Sequence, residues 1–491
     1  MHLEQWEKHY DEAFSDIKES LDNVRGMFVA YNSNVDAIKH ISERDISKLL
    51  SLVDLAAVQE KIVNYPREIV SPADFLSRLI IAMRDGKAAE VPTYTSDIHE
   101  WLTDHLVFDD ARMGGQAGII SNLLAHLGVR KVISYVPWLS KEQAEYFADL
   151  PNLLHPVIED GVLMLKHPRQ AYDPEFKPRV NWIIEFSRGL EVKYGGEHFV
   201  VPRDNRLIIS SRPSWIRIDM SRELYDRIPK LEEDVDGAIL AGYQMIREEY
   251  EDGTTYHEYV ERAVNVIERL KEGNPDIRIH VEFTSIQNKT IRKTLLKDIV
   301  CRHVHSLGLD TVEVANALNV LGHEELAYSV INKGENGIVA LYEGAVRLLH
   351  DLKLERVHVH SLGFFICVIS KDHPLDVEGH RTALLFGSTL AAAQASRGSI
   401  EHLDDAAAGL SVPVSETGYK ELEILGKYMV RREICSMDEF VDGCICTPTH
   451  DVIVVPSKVV KDPIATVGIG DAISAGAFVA MLAKMKSMKY P

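Results

Sequence analysis

The opening residues place apolar side chains at three- and four-residue steps: Leu3, Trp6, Tyr10, Phe14 and Ile17. That period predicts an amphipathic helix with one stripe laid on a core. The run GMFVAYNSNVDAI follows and reads as a strand. Helical spacing returns in DISKLLSLVDLAAVQEKIV, ADFLSRLIIAMRDGK and SDIHEWLTDHL, and again in QAGIISNLLAHLG behind Gly114 and Gly115. A strand, KVISYVPW, comes next. Between about 152 and 212 the texture changes to short apolar runs (VLMLK, VNWIIEF, HFVVP, RLIIS) broken by Pro, Gly and charge. These predict a small antiparallel sheet. From Val235 onward DGAILAGY, IRIHVEF, VHSLG, GIVALYEG, VHVHSLG and VIVVP read as strands alternating with helices. Such alternation implies a mostly parallel sheet covered by helices.

The expected fold is therefore α/β: a doubly wound, mostly parallel sheet with a smaller β-rich lid inserted early in the chain. Residues 1–36, 110–151 and 213–491 make up the expected large domain, and 37–109 with 152–212 the lid. Ligands of such sheets sit beyond the strand C-termini, so chemistry is sought there.

Composition sharpens this picture at a few points. At 491 residues and 46% hydrophobic, the chain is ample for a large core and long for one compact domain. Its formal charge of -20, from 54 basic and 74 acidic residues, argues against nonspecific nucleic-acid binding, which needs basic faces. The five cysteines are odd in number and form no CxxC pair, which argues against a disulfide framework and fits a reducing compartment. Cys444 and Cys446 alternate in CICTPTHDVIVV and read as ordinary thiols on a strand. The charged N-terminus has no signal-peptide core, and no apolar run reaches the ~20 residues of a membrane span. A soluble cytoplasmic protein is expected.

Five motifs carry candidate chemistry. In TVGIGDAISAG, Gly468 and Gly470 precede a helix expected from Ala472. Bare N–H groups at such a helix start attract anions. Asp471 there can act as a base toward an attacking hydroxyl, or can simply cap the helix. No third glycine follows for a dinucleotide fingerprint, and no Walker A motif occurs. Asn34 and Asp36, in NSNVD at a strand end, suit vicinal sugar hydroxyls, or form an Asx turn. Gly114, Gly115 and Gln116 in RMGGQAG open a helix toward a ligand, or allow close helix packing. In IHVEF, His280 and Glu282 share one strand face, opposite Ile279 and Val281, and mark a site. Asp310 and Glu313 in DTVE have the spacing of a capping box, which does not exclude a metal role. His358 and His360 find no third zinc ligand at a plausible spacing and read as structural.

Taken in order, YNSNVDAI, RMGGQAGI, PRDNRLI, HVE, SLGLDTVE and TVGIGD resemble the ADP-dependent sugar kinases of archaea, the glucokinase and phosphofructokinase branch of the ribokinase-like family. The resemblance spans nearly the whole chain. It implies a Rossmann-like body with a lid that closes over a sugar, with ADP as donor and Mg2+ as cofactor. By that resemblance Asp471 is the base, and Gly468 and Gly470 form the anion hole. Glu282, Glu313 and Asp310, with Asp471, would hold the metal, although Asp310 stands where the family motif has Asn. Asn34, Asp36, Gly115 and Gln116 look like sugar contacts, and Val455, Thr466 and Gly470 like nucleotide contacts. Arg203 matches a position associated with sugar phosphate, and Lys166 is another lid cation. Glu90 matches a glutamate associated with glucose. The implied reaction is phosphorylation of fructose 6-phosphate to the 1,6-bisphosphate with release of AMP, with glucose as a second acceptor. ADP-dependent glucokinase activity is the alternative, and a non-catalytic sugar or nucleotide sensor on this fold a more distant one.

Overall fold

The computed structural model describes residues 3–284, 286–332, 337–465 and 467–489. Eighteen strands fall into three sheets among these residues. In chain order they are β1 Met27–Ala30, β2 Asn34–His40, β3 Ala89–Thr93, β4 Asp110–Gly114, β5 Val132–Tyr135, β6 Leu153–Glu159, β7 Val162–Lys166, β8 Val180–Phe186 and β9 Glu191–Tyr194. Then come β10 Glu197–Val200, β11 Asn205–Ser211, β12 Gly237–Leu240, β13 Arg278–Glu282, β14 Ser306–Asp310, β15 Arg356–Ser361, β16 Phe364–Ser370, β17 Cys444–Cys446 and β18 His450–Pro456.

The large sheet has eleven strands in the order β17-β18-β16-β15-β14-β13-β12-β1-β5-β6-β7. From β15 through β6 every neighbouring pair is parallel. These central strands are apolar on both faces because helices cover both: Met27, Phe28, Val29 and Ala30 are all fully buried. Each such side chain of Val or Phe size contributes about 1.5–3 kcal/mol on burial. Antiparallel strands flank the parallel run, β7 on one side and β16, β18 and β17 on the other. The small sheet has the order β3-β11-β8-β2-β4 and is mixed, with β3/β11 and β2/β8 parallel. Its core, around Phe75, Leu79, Trp182 and Ile184, is separate from the core of the large sheet.

Four sequence expectations are corrected here. The single strand expected over GMFVAYNSNVDAI is two, β1 in the large sheet and β2 in the small one. GIVALYEG is helical, within Gly337–Asp351, because the apolar spacing continues through Ala345, Leu348 and Leu349. VLMLK is β7, which extends the edge of the large sheet through β6 and is not part of the small one. The small sheet is mixed, not antiparallel, since it recruits β2, β3 and β4 from before residue 152.

Local rules explain the elements that frame the site. The helix Pro72–Asp85 starts with Ser71 accepting the amide of Asp74, has Pro at its first position, and stops at left-handed Gly86. Helices Val377–Arg397 and Ile469–Lys489 pack closely because two glycines lack side chains. A Cβ on Gly387 would stand 2.8 Å from the Ile473 carbonyl, and one on Gly476 2.5 Å from Leu390 Cδ1. This contact fixes the helix that carries Asp471.

Candidate active site

Parallel order brings the C-terminal ends of β13, β14 and β15 side by side, with Asp310 opposite His360 across the ladder. Glu282 ends β13 and is 5% exposed. His280 Nε2 lies 3.2 Å from Glu282 Oε2. Gly308 on β14 makes room for this pair, since a Cβ there would stand 2.1 Å from that oxygen. Asp310 caps the helix Thr311–Leu321, accepting the Glu313 amide at 2.8 Å, while Glu313 accepts the Asp310 amide at 2.8 Å. The capping box that the spacing predicts is therefore present in both halves.

Burial pushes the Glu282 carboxyl upward, and raises Glu313 well above the usual range with help from the neighbouring Asp310 charge. Two buried carboxylates that repel one another fit a cation nearby. No group of three or more His, Cys, Asp or Glu among the described residues converges tightly enough to cage a metal. The donor set suits a hard ion that keeps much of its water and takes few protein oxygens.

Asp471 lies in the first turn of the helix Ile469–Lys489, which begins three residues before the expected Ala472. It is inside the helix and so is not the N-cap. Burial raises its carboxyl to about 7, with the charges of Glu282 and Asp36 adding to the effect. Some of its surface remains accessible, so it is enclosed by protein but open toward a cleft. Gly468, at φ +81°, turns the chain into the helix. Gly470 lies against His360, whose Nε2 would be 3.3 Å from a Cβ there. Gly470, His360, Asp310, Leu362, Ser457 and Ile473 line a cavity of about 530 Å3.

The small sheet supplies the facing wall. Asn34 begins β2 opposite Gly114 at the end of β4. Asn34 Nδ2 donates to Asp36 Oδ1 at 2.6 Å, and Asn181 Nδ2 donates to the same oxygen at 3.3 Å. Gly114 is required here, because a Cβ would stand 2.2 Å from Asn34 Nδ2 and 2.3 Å from Asp36 Oδ1. Burial raises Asp36 to about 6, opposed by its bond from Asn34 and by the charges of Arg112 and Arg179. Gly115, at φ +76°, precedes the helix Gln116–His126, and the half-buried Gln116 accepts from Gln244 Nε2 at 3.4 Å. Since the Asp36 charge acts on Asp471, the two sheets bring these carboxylates into one site.

Other expected residues stand elsewhere. The exposed Arg203 donates its Nε to the Gly86 carbonyl, which ends the helix Pro72–Asp85. Lys166, at the end of β7 and three strands from β1, so about 14 Å across the sheet, pairs with Glu159 at the end of β6. Val455 is wholly buried in β18 and presents no surface to the cavity, which the chain reaches at Ser457. Thr466 lies outside the described residues. Glu90 is exposed and pairs with Arg212 at 3.2 Å.

Sequence reasoning missed Arg212, which lines a cleft between the sheets with Gln244 and Arg247. It also missed Asn181 and Gln143, whose Nε2 holds the Ser33 carbonyl at 3.1 Å. For Asn181 and Arg212 a signal was present, as polar residues at the ends of otherwise apolar strands; Gln143, in the short helix Lys141–Glu145, offered none.

Four likenesses bear on this geometry. The profile described as ADP-specific Phosphofructokinase/Glucokinase conserved region matches residues 25–480. The ADP-specific phosphofructokinase of Methanosarcina acetivorans is 62% identical over 486 residues, 99% of each chain. A solved ADP-dependent kinase in complex with fructose-6-phosphate and ADPβS is 70% identical, covers 99% of both chains and superposes with a TM-score of 0.89. The ADP-dependent glucose/glucosamine kinase of Pyrococcus abyssi is more distant, at 31% identity over 479 residues, 96% of this chain and 98% of that one. With Asp36, Asp471 and the glycine-opened helices already in place, the chain belongs to the ADP-specific phosphofructokinase/glucokinase family.

Proposed function

We propose that the protein phosphorylates the C1 hydroxyl of fructose 6-phosphate with ADP, releasing fructose 1,6-bisphosphate and AMP. The observation that carries this is Asp471 in the first turn of the helix whose Gly470 lines the cavity, close enough to Asp36 on the small sheet to feel its charge. Asp36, Asn34, Gly115 and Gln116 hold the sugar, and the Gly470 cavity takes the nucleotide. Asp471 accepts the hydroxyl proton. The freed oxygen bonds to the β-phosphorus, and the bond from that phosphorus to the bridging oxygen breaks with its electron pair leaving on AMP. A base near pKa 7 matches neutral working conditions. Amides of Gly468, Gly470 and the first helical turn face the charge on the transferring group. Glu282, Glu313 and Asp310 would hold Mg2+, which when bound neutralises donor phosphate charge.

Arg212, which lines the cleft and pairs with Glu90, would bind the sugar phosphate and exchange Glu90 for it. Glucose, with no phosphate, would meet Glu90 in place of that anion, which supports it as a second acceptor. The small-sheet unit then serves as the sugar-binding lid, and the reaction takes place in the cytoplasm. No helix among the described residues is long and apolar enough to cross a membrane.

The test is an assay crossing ADP and ATP with fructose 6-phosphate and glucose, with and without EDTA. ADP with fructose 6-phosphate should give the highest kcat/KM, AMP should appear, and EDTA should abolish turnover until Mg2+ is restored. Preference for ATP would overturn the donor, and preference for glucose the acceptor.

A further inference from the structure

Arg356 begins β15 and is 1% exposed, yet no carboxylate among the described residues pairs with it. Its Nη1 donates to Ser306 Oγ at 3.0 Å. Ser306 Oγ lies 2.9 Å from His280 Nδ1, and His280 Nε2 lies 3.2 Å from Glu282 Oε2. All four side chains are at least nine-tenths buried. The directions of these bonds follow from donor chemistry. A guanidinium only donates, so Ser306 Oγ accepts from it. Glu282, as a carboxylate, only accepts, so the hydrogen between it and the ring sits on His280 Nε2, and Nδ1 of the neutral ring takes the Ser306 hydroxyl hydrogen. A neutral imidazole with Nδ1 as acceptor carries its hydrogen on Nε2, and that hydrogen points at Glu282. Two further features hold the ring. It stacks on Phe478 with centroids 5.0 Å apart, two turns along the helix that carries Asp471. Gly308 leaves open the space where a side chain would force ring and carboxylate apart.

We infer that Ser306 and Arg356 are positioning residues: they lock His280 in its Nε2–H tautomer, which fixes Glu282 by one oxygen and leaves the other for the cation. The part of this inference that concerns the cation rests on the proposed function; the tautomer does not. Without the serine hydroxyl, His280 Nδ1 loses its donor, and the ring is free to flip or to move its hydrogen, so Glu282 loses its fixed orientation. Partners at one remove from a metal ligand typically change metal affinity about 10- to 100-fold.

The experiment uses the full chain and the variants Ser306→Ala, Ser306→Thr and Arg356→Lys. Nitrogen-15 NMR of histidine-labelled, ligand-free protein, with His280 assigned by its loss in His280→Asn, reads the tautomer directly. Wild type and Ser306→Thr should show Nε2–H, and Ser306→Ala should show Nδ1–H or a mixture. Arg356→Lys keeps a donor and should retain Nε2–H even where stability drops. Mn2+ binding followed by electron paramagnetic resonance should weaken about tenfold in Ser306→Ala and recover in Ser306→Thr. An Nδ1–H tautomer in wild type, or an unchanged tautomer in Ser306→Ala, overturns the relay. If the tautomer shifts as expected and Mn2+ binding is unchanged, the relay positions Glu282 for something other than the cation, and the metal part of the inference fails. Loss of ADP-dependent turnover in wild type would refute the proposed function and leave the NMR result standing.

Discussion

Asp36 and Asp471 are both held where burial resists their charge, with different consequences. For Asp471, the proposed base, the expected consequence is catalytic. Asp471→Asn keeps the shape and removes the proton acceptor, so kcat should fall by roughly 100-fold or more, with sugar and nucleotide affinities kept. Near-normal turnover would remove it from the mechanism. For Asp36 the consequence also appears in stability. Its carboxyl rises from 3.8 to about 6 in the folded chain, mainly through burial. Between those values the folded state holds a proton that the unfolded state has lost, so stability falls as pH rises through the window. Above about 6 both states are ionised and the cost is complete, on the order of 2–3 kcal/mol at about 1.4 kcal/mol per unit. Asp36→Asn should therefore melt above wild type at pH 7 and match it near pH 4, while its sugar KM rises. A constant gap across that range would show that ionisation of Asp36 is not what strains the site. Arg212 and Arg203 divide the sugar-phosphate role in a testable way. Arg212 faces the cleft, whereas Arg203 binds the Gly86 carbonyl. A charge-assisted hydrogen bond contributes about 1.5–3 kcal/mol, so Arg212→Ala should lower kcat/KM for fructose 6-phosphate about 10- to 150-fold and spare glucose. Arg203→Ala should change neither sugar by more than a few-fold. The reverse result would return the role to Arg203.

Among elements, the helix Ile469–Lys489 matters most because its first turn carries Asp471, the proposed base. Its position is set by contact with the helix Val377–Arg397, where a Cβ on Gly387 would stand only 2.8 Å from the Ile473 carbonyl. Gly387→Val should force the helices apart. Overpacking of this kind costs about 1–3 kcal/mol, and the displaced first turn should lower kcat by more than the melting temperature alone accounts for. If kcat is unchanged while stability drops, the contact supports the fold and does not position Asp471. The same logic explains why GIVALYEG misled as a strand. Eight apolar-rich residues fit either period, and only the continuation to Leu348 and Leu349 decides for a helix.

Across the whole molecule, two separate cores flank the site, and the chain passes between them several times, first in the short segment between β1 and β2. Each proposed ligand belongs to a different core. Fructose 6-phosphate alone should slow hydrogen exchange in β2, β4 and β8, and ADP alone should slow it at the ends of β14 and β15 and the start of the last helix. Both together should protect both walls more than the sum, because closing the cleft links the two units. Strictly additive protection would argue against closure.

Much of this was written along the chain itself. Glycines ahead of a helix, carboxylates at strand ends and the DTVE capping spacing depend on neighbours within a few residues, so Asp471, Asp36, Glu282 and Glu313 could be singled out without a structure. Alternating periods of two and 3.6 likewise pointed to the α/β class. Partners distant in sequence could not be read this way. Which sheet a strand joins depends on pairing, so β7 went to the large sheet and β2 to the small one. Arg203 and Arg212 look equivalent as residues, and only packing turns one to a helix end and the other into the cleft. The raised carboxyls of Asp36 and Asp471 arise from burial, and at Asp471 also from the charges of Glu282 and Asp36, quantities that exist only once the chain has folded.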